Sequence, residues 1–161
     1  MFKSILGRLF WTYAIILMLV FTSVAVTVGI FVNHFAISTH MNNVISVSQN
    51  LEYWTGSLQI EDTDYRARAA YKQLLRSWGS FLNSDIIVTN SNGEVLESTT
   101  SSATVPDELV HIVTNGNIIK KYSTLNGSYK NKMMVIGVPI KYQGGIVGAS
   151  FYVTGIFDIR K

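Results

Sequence analysis

Side chains able to do acid–base, nucleophilic or metal chemistry are sparse in this chain. There is no cysteine, which removes disulfides, thiolate nucleophiles and cysteine-based metal sites. The histidines are His34, His40 and His111. His34 and His40 lie six apart and so do not share a helix face, as an i, i+4 metal pair would. Surface or interface positions suit them better than ligation. Glu61, Asp62 and Asp64 form an acidic group. At a helix start such carboxylates stabilise the dipole, and three are few for strong binding of a divalent cation. No Ser/His/Asp set, paired carboxylates or phosphate-cradling glycine loop stands out, so we assign no catalytic residue, metal site or cofactor. What remains is cations beside aromatic rings. Arg66, Arg68 and Arg76 are interleaved with Tyr65, Tyr71 and Trp78, a combination able to grip an anion through charge-assisted hydrogen bonds. Lys120, Lys121, Tyr122 and Tyr129 form a second group of this kind. The competing reading of both is a solvated basic face over an aromatic core.

The first group belongs to a helix. Tyr71, Leu74, Leu75, Trp78, Phe81 and Leu82 recur at i, i+3, i+4, i+7, i+10 and i+11, which makes one apolar face. Asp62 or Thr63 is positioned to cap its start. The period then shortens. Asp85 to Thr89 and Glu94 to Ser98 are short strand-like runs around Asn92-Gly93, a hairpin signal because both residues tolerate positive φ. Pro106 followed by Asp107 and Glu108 predicts a helix first turn, with Pro at its first position. Asn115-Gly116 ends that helix. The last third reads as three strands: Asn117 to Thr124, Lys130 to Tyr142 and Ile146 to Thr154. Asn126-Gly127 and Gln143-Gly144-Gly145 supply the turns. Pro139 has no N–H, so its strand must lie at an edge or bulge there. The predicted fold class is α+β, an antiparallel sheet with helices packed on it.

The N-terminal part is of another kind. Phe10 to Val32 is 23 residues without a charge, about 34 Å of helix, which covers a ~30 Å hydrocarbon core. Trp11 and Tyr13 sit at its edge, where amphipathic rings favour the headgroup layer. A small-x-small site for signal cleavage occurs at Ser23-Val24-Ala25. Seven apolar residues follow it, which favours an uncleaved anchor. Lys3 and Arg8 precede the span, and no Lys or Arg follows until Arg66. The positive-inside rule therefore expects residues 1–9 in the cytoplasm, 10–32 across the lipid and 33–161 outside the cell membrane. Eleven of the 13 Lys and Arg remain in 33–161 against ten Asp and Glu. The outer part is thus nearly neutral, with no basic stripe for nucleic acid.

The membrane helix is expected to continue outward to about Trp54 and to break at Thr55-Gly56-Ser57. Ile37, Met41, Val44 and Leu51 are spaced by four, three and seven, a heptad-like stripe weakened at Ser48. Two readings stand together: the stripe packs on its own domain, or it pairs with a second copy in a homodimer.

An anchor, a long outer helix, the strand–turn–strand Ile86-Ile87-Val88 … Asn92-Gly93-Glu94-Val95 and the hairpin Val138-Pro139-Ile140 … Gly144-Gly145-Ile146-Val147-Gly148-Ala149 form a set. Together they resemble the extracytoplasmic PAS-like (single Cache) sensor region of bacterial receptors, most often sensor histidine kinases. The resemblance covers essentially the whole chain. It implies a signal-input module rather than an enzyme, with an unidentified small ligand or partner protein outside the cell. The same fold also serves chemoreceptors and nucleotide cyclases. Relatives of this kind often bind small carboxylates between the second helix and the sheet. That implies Arg66, Tyr71, Arg76 and Trp78 as ligand-binding candidates, with Lys120 and Tyr122 beside the sheet. Arg76-Ser77-Trp78 is similar to an Arg-x-Trp-Tyr ligand motif, with Gly79 where that motif has Tyr. The family pattern continues with a second span and a cytoplasmic kinase. The resemblance therefore implies a sensor region truncated before its second membrane helix; a membrane-anchored assembly subunit is the alternative.

Overall fold

The computed structural model describes residues 5–60, 65–101 and 104–155. Neither proline of the chain precedes Pro106, and the first helix, α1, runs from Ile5 to Ile60. The expected break at Thr55-Gly56-Ser57 is absent, and the reason is steric. Gly56 is buried, and a Cβ there would fall on the ring of Tyr142. This glycine lets the helix approach the sheet; it does not end the helix. The expected caps Asp62 and Thr63, and the acidic group Glu61, Asp62 and Asp64, lie outside the described residues.

Two compact units emerge, Met1–Ser38 and Thr39–Lys161. In the first, most of the described large apolar side chains are exposed, Met18 by 74% and Phe10 by 72%. This helix is long and apolar enough to cross a membrane.

The second unit is built on one antiparallel sheet. Its strands are β1 (Asp85–Asn90), β2 (Val95–Ser98), β3 (Ile119–Ser123), β4 (Met133–Tyr142) and β5 (Gly145–Thr154). Their order is β2-β1-β5-β4-β3. The central strands are buried on both faces and read as continuous apolar runs, such as Met133 to Val138. Alternate residues feed two cores. On one face Ile86, Val88, Ile136 and Tyr152 meet Val44, Val47 and Leu51 of α1 and Tyr71 and Leu75 of α2 (Tyr65–Leu82). On the other face Ile87, Val135 and Phe151 meet Leu109, Val110 and Val113 of α3 (Asp107–Thr114), together with Val105 and Leu125.

Local chemistry explains the connections. Between β1 and β2, Gly93 N–H donates to the Asn90 carbonyl at 3.1 Å, and only Gly93 of the expected Asn-Gly pair has positive φ, 88°. The Asn90 carboxamide oxygen accepts from the N–H groups of Asn92 and Glu94, both at 3.0 Å. This is a turn closed by a glycine bulge, held by an Asx contact. Between β4 and β5, Gln143 and Gly144 both have positive φ, 49° and 84°, and Tyr142 pairs with Gly145, a two-residue primed turn. The Asn126-Gly127 turn is part of a longer loop, 124–132, in which Leu125 is left-handed (φ 46°) and fully buried. Pro106 is the N-cap of α3 rather than its first helical residue. Pro139 has a strand partner on one side only. It pairs with Ala149 of β5, while the β3 ladder stops at Ile119 opposite Gly137.

Candidate ligand-binding cleft

The six candidate ligand residues fall in three places. Tyr71 is buried, and its phenol shares a 2.6 Å hydrogen bond with the Thr55 hydroxyl of α1. Trp78 is half-buried against the same core and meets Phe81 edge to face at 5.8 Å. Arg66 and Arg76 are exposed on α2. Lys120 and Tyr122 are exposed on the edge strand β3, at the far side of the sheet from β2. The structure does not bring the six together. The space expected between α2 and the sheet is filled by Tyr71, Leu75, Ile86 and Tyr152.

Arg76 of this set lines a cleft. The cleft, about 420 Å³, opens where α2 ends and β1 begins. Arg76 and Ser80 come from α2, and Asn83, Ser84 and Asp85 from the connection into β1. Thr99 closes one side, with Met133, Val153 and Gly155 beside it. The tight connection has its own causes. Asn83 takes a left-handed conformation (φ 49°), Ser84 N–H donates to the Gly79 carbonyl at 2.9 Å, and the Thr154 hydroxyl donates to the Asn83 carbonyl at 2.9 Å. Gly79 is buried here, and a Cβ on it would stand 2.9 Å from the Ser84 carbonyl oxygen. That closeness explains why a small residue occupies the position that the ligand motif gives to Tyr.

The electrostatics are mixed. Among the described residues the ion pairs are Lys72–Glu97 at 3.1 Å and Lys121–Glu108 at 3.2 Å, and neither involves Arg76. Its guanidinium is therefore available to a carboxylate. Asp85 accepts a 2.7 Å hydrogen bond from the Tyr129 hydroxyl, which crosses from the 124–132 loop. Burial, and then the hydrogen bond and charge of Asp85, push the Tyr129 phenol well above its usual range. Among the described residues the cleft presents the Arg76 guanidinium, the braced Asp85 carboxylate and several hydroxyls, a set that can hold a small polar anion or zwitterion. Asn83, Ser84 and Asp85 were missed by sequence reasoning. The signal was a run of polar residues between an amphipathic helix and a strand, of which only Asp85 was placed, as the first residue of the strand. Among the described residues no group of three or more His, Asp or Glu comes together as a metal site.

No family model and no curated protein matches the sequence. Solved structures do match in shape. The sensor domain of the V. cholerae histidine kinase DctB aligns with a TM-score of 0.59 at 9% identity, over 80% of this chain. The ligand-binding domain of the Campylobacter jejuni chemoreceptor Tlp3, solved with L-norvaline, aligns with a TM-score of 0.53 at 15% identity, over 77%. The fold is that of a Cache-type sensor domain. The chain spans 55% and 57% of those two solved domains, little more than half of each.

Within this Cache-type fold the Thr55–Tyr71 contact ties α1 to α2. Burial raises the Tyr71 phenol to about 12, with the Thr55 hydrogen bond opposing and the charge of Glu97 adding. An unfolded tyrosine ionises near ~10, so between pH 10 and 12 the unfolded chain loses a proton that the folded chain keeps. Stability supplied by the neutral phenol is complete below pH 10 and is lost as pH rises through 12. Tyr71→Phe is expected to cost ~1 kcal/mol at neutral pH and to flatten the alkaline limb of a plot of melting temperature against pH. An unchanged alkaline limb would assign that loss to other groups.

Proposed function

We propose that this chain is the extracytoplasmic input module of a two-component sensor histidine kinase. The reading is of an anchor by 10–32, an N-terminus in the cytoplasm and a Cache-type domain that takes a small ligand outside. The observation that carries it is the shared fold with two receptor input domains of different output, one of a histidine kinase and one of a chemoreceptor. The chemoreceptor match is the reason to keep that output as the second reading. The charge asymmetry around the span supports the orientation.

The ligand class follows from the cleft. Arg76 would hold a carboxylate, and the hydroxyls around it and Asp85 would select what else the ligand carries. Binding moves the module only by the difference in affinity between its two packings. The test is a melting-temperature screen of the full chain in nanodiscs against small mono- and dicarboxylates and amino acids. A ligand at 100 times its Kd is expected to stabilise by ~3 kcal/mol, and Arg76→Ala to weaken it at least ~10-fold, the loss of one charged hydrogen bond. Labelling a cysteine placed at Gln73 with a membrane-impermeant maleimide on intact cells checks the topology. No stabilisation by any compound, or equal affinity in Arg76→Ala, would remove the cleft from the reading. A protected Gln73 site would reverse the orientation.

A further inference from the structure

The loop from β3 to β4, residues 124–132, is wound against a leucine's preference. Leu125, Asn126 and Gly127 all have positive φ, 46°, 55° and 84°. Asparagine and glycine tolerate that conformation, whereas the Cβ of a leucine crowds its own backbone there. Something outside the backbone must hold Leu125. It is the one fully buried residue of the loop, at 0% exposure. Its side chain joins Ile87, Leu109, Val110, Val113 and Phe151 in the core under α3. Apolar burial offsets the strain. Leu125 N–H donates to the Ser123 hydroxyl and Tyr129 N–H to the Thr124 carbonyl, both at 3.0 Å, which closes the coil.

Four residues on, the same loop meets the cleft. The Tyr129 hydroxyl holds Asp85 at 2.7 Å, and its ring packs against the core that Leu125 enters. A hydrogen bond to a charged group is stronger than a neutral one. The loop's contacts with Thr104 are exposed and longer, 3.3 and 3.5 Å to the Ser128 hydroxyl. The cleft also backs onto the α3 core, because Met133 and Val153 belong to both. Val153 is fixed between two ladders, opposite Asp85 of β1 and Val135 of β4. Residues 124–132 lie in no strand, so the loop can shift without breaking the sheet.

We infer that 124–132 is a strap coupling the cleft to the α3 face, with Asp85–Tyr129 as its latch and Leu125 as its wedge. Tyr129 is a positioning residue, acting on the cleft through Asp85. A ligand group that draws the Asp85 carboxylate away, such as an ammonium, opens the latch. The strained backbone then unwinds and withdraws Leu125, and α3 loses a packing partner. By linkage, a seated wedge also favours the braced Asp85. Occupancy of the cleft is thus read on the sheet face opposite α1 and α2. The strap rests on the ligand reading only for what opens the latch.

Amide hydrogen exchange of the full chain in nanodiscs, with no ligand added, tests the strap. Tyr129→Phe keeps the ring and removes the latch. The amides of Ser128 and Tyr129 in the strap, and of Ile112 and Val113 in α3, are expected to exchange at least ~10-fold faster, the loss of one charged hydrogen bond. Asp85→Asn, which leaves an acceptor without the charge, is expected to fall between. Tyr71→Phe removes a buried hydroxyl from the opposite core and is the control for overall stability. Those four amides should respond less to it than to Tyr129→Phe. In a Leu125→Ala background the wedge is gone, so adding Tyr129→Phe should not speed Ile112 and Val113 further. Equal acceleration by Tyr71→Phe, acceleration confined to the strap, or full additivity with Leu125→Ala would each overturn the coupling. Circular dichroism melts check folding, and if Leu125→Ala does not fold the first two comparisons decide. Failure of the melting screen to find a stabilising compound would remove the cleft reading and leave these exchange rates as they are.

Discussion

Leu51→Ala is expected to destabilise the Thr39–Lys161 unit by ~3–4 kcal/mol, within the usual range for a leucine truncated in a close-packed core. Leu51 is completely buried between α1 and the sheet, in the cluster that also holds Val44, Val47, Leu75 and Tyr152. The helix backbone holds its position, so the neighbours close only part of the space left behind. The effect separates two roles of one helix. In the Thr39–Lys161 unit α1 is a packed wall, whereas most of the described large apolar side chains of its earlier part are exposed. Leu51→Ala should therefore lower the cooperative melt by about 10 °C and leave the helical signal of the apolar N-terminal part of α1 in place above it. Gln49→Ala, two residues away and exposed, should move the melt by less than ~0.5 kcal/mol. Equal effects of the two would mean that α1 does not pack on the sheet as described.

Much of this architecture was legible before the structure. The alternation around Asn92-Gly93 and Gln143-Gly144, and the 3.6-residue period from Tyr71 to Leu82, place five of the eight described elements close to where they lie. These signals are local: a turn needs positive φ and a helix needs an apolar face, and both show in neighbouring residues. Gly56 shows where locality ends. Alone it reads as a helix breaker, and its real constraint is the ring of Tyr142, 86 residues away. Ser48 is similar. It looked like a gap in an apolar stripe, yet it is completely buried, and its hydroxyl has no hydrogen-bond partner among the described residues. Periodicity shows which residues share a side of a helix. It does not show which of two sides meets the sheet.

The candidate site was less legible for the same reason. Arg66, Tyr71, Arg76 and Trp78 lie close in sequence, but a helix turns 100° per residue and sends Tyr71 inward and Arg76 outward. Asp85 and Thr99 approach Arg76 only because β1 leaves the end of α2 through the left-handed Asn83 and pairs with β2. A cleft assembled by a helix end, a tight connection and a strand edge has no single period to detect.

The other large effect is at Gly148, in the middle of the central strand β5. It pairs with Asn90 of β1 and with Ile140 of β4. A Cβ on it would overlap the backbone carbonyl oxygen of Thr89 and stand 3.3 Å from the Asn90 Cα. Neither obstacle is a flexible side chain, so a single methyl group must force β1 and β5 apart or bend one of them. Gly148→Ala is expected to cost ~3 kcal/mol or more, at the upper end for overpacking, and to lower the melt by about 10 °C. Gly137 provides the comparison. A Cβ there would stand 2.7 to 2.9 Å from Val113, Ile119 and Phe151, all side-chain atoms, which can shift. Gly137→Ala should therefore cost less than Gly148→Ala, though both lie in buried strands. Hydrogen exchange would locate the damage: Gly148→Ala should expose the amides of β1 and β5 near Thr89, whereas Gly137→Ala should disturb α3 and β3. If Gly148→Ala melted with the wild type, the close approach of β5 to β1 described here could not be correct, and the connection that brings Asp85 to the cleft would have to be redrawn with it.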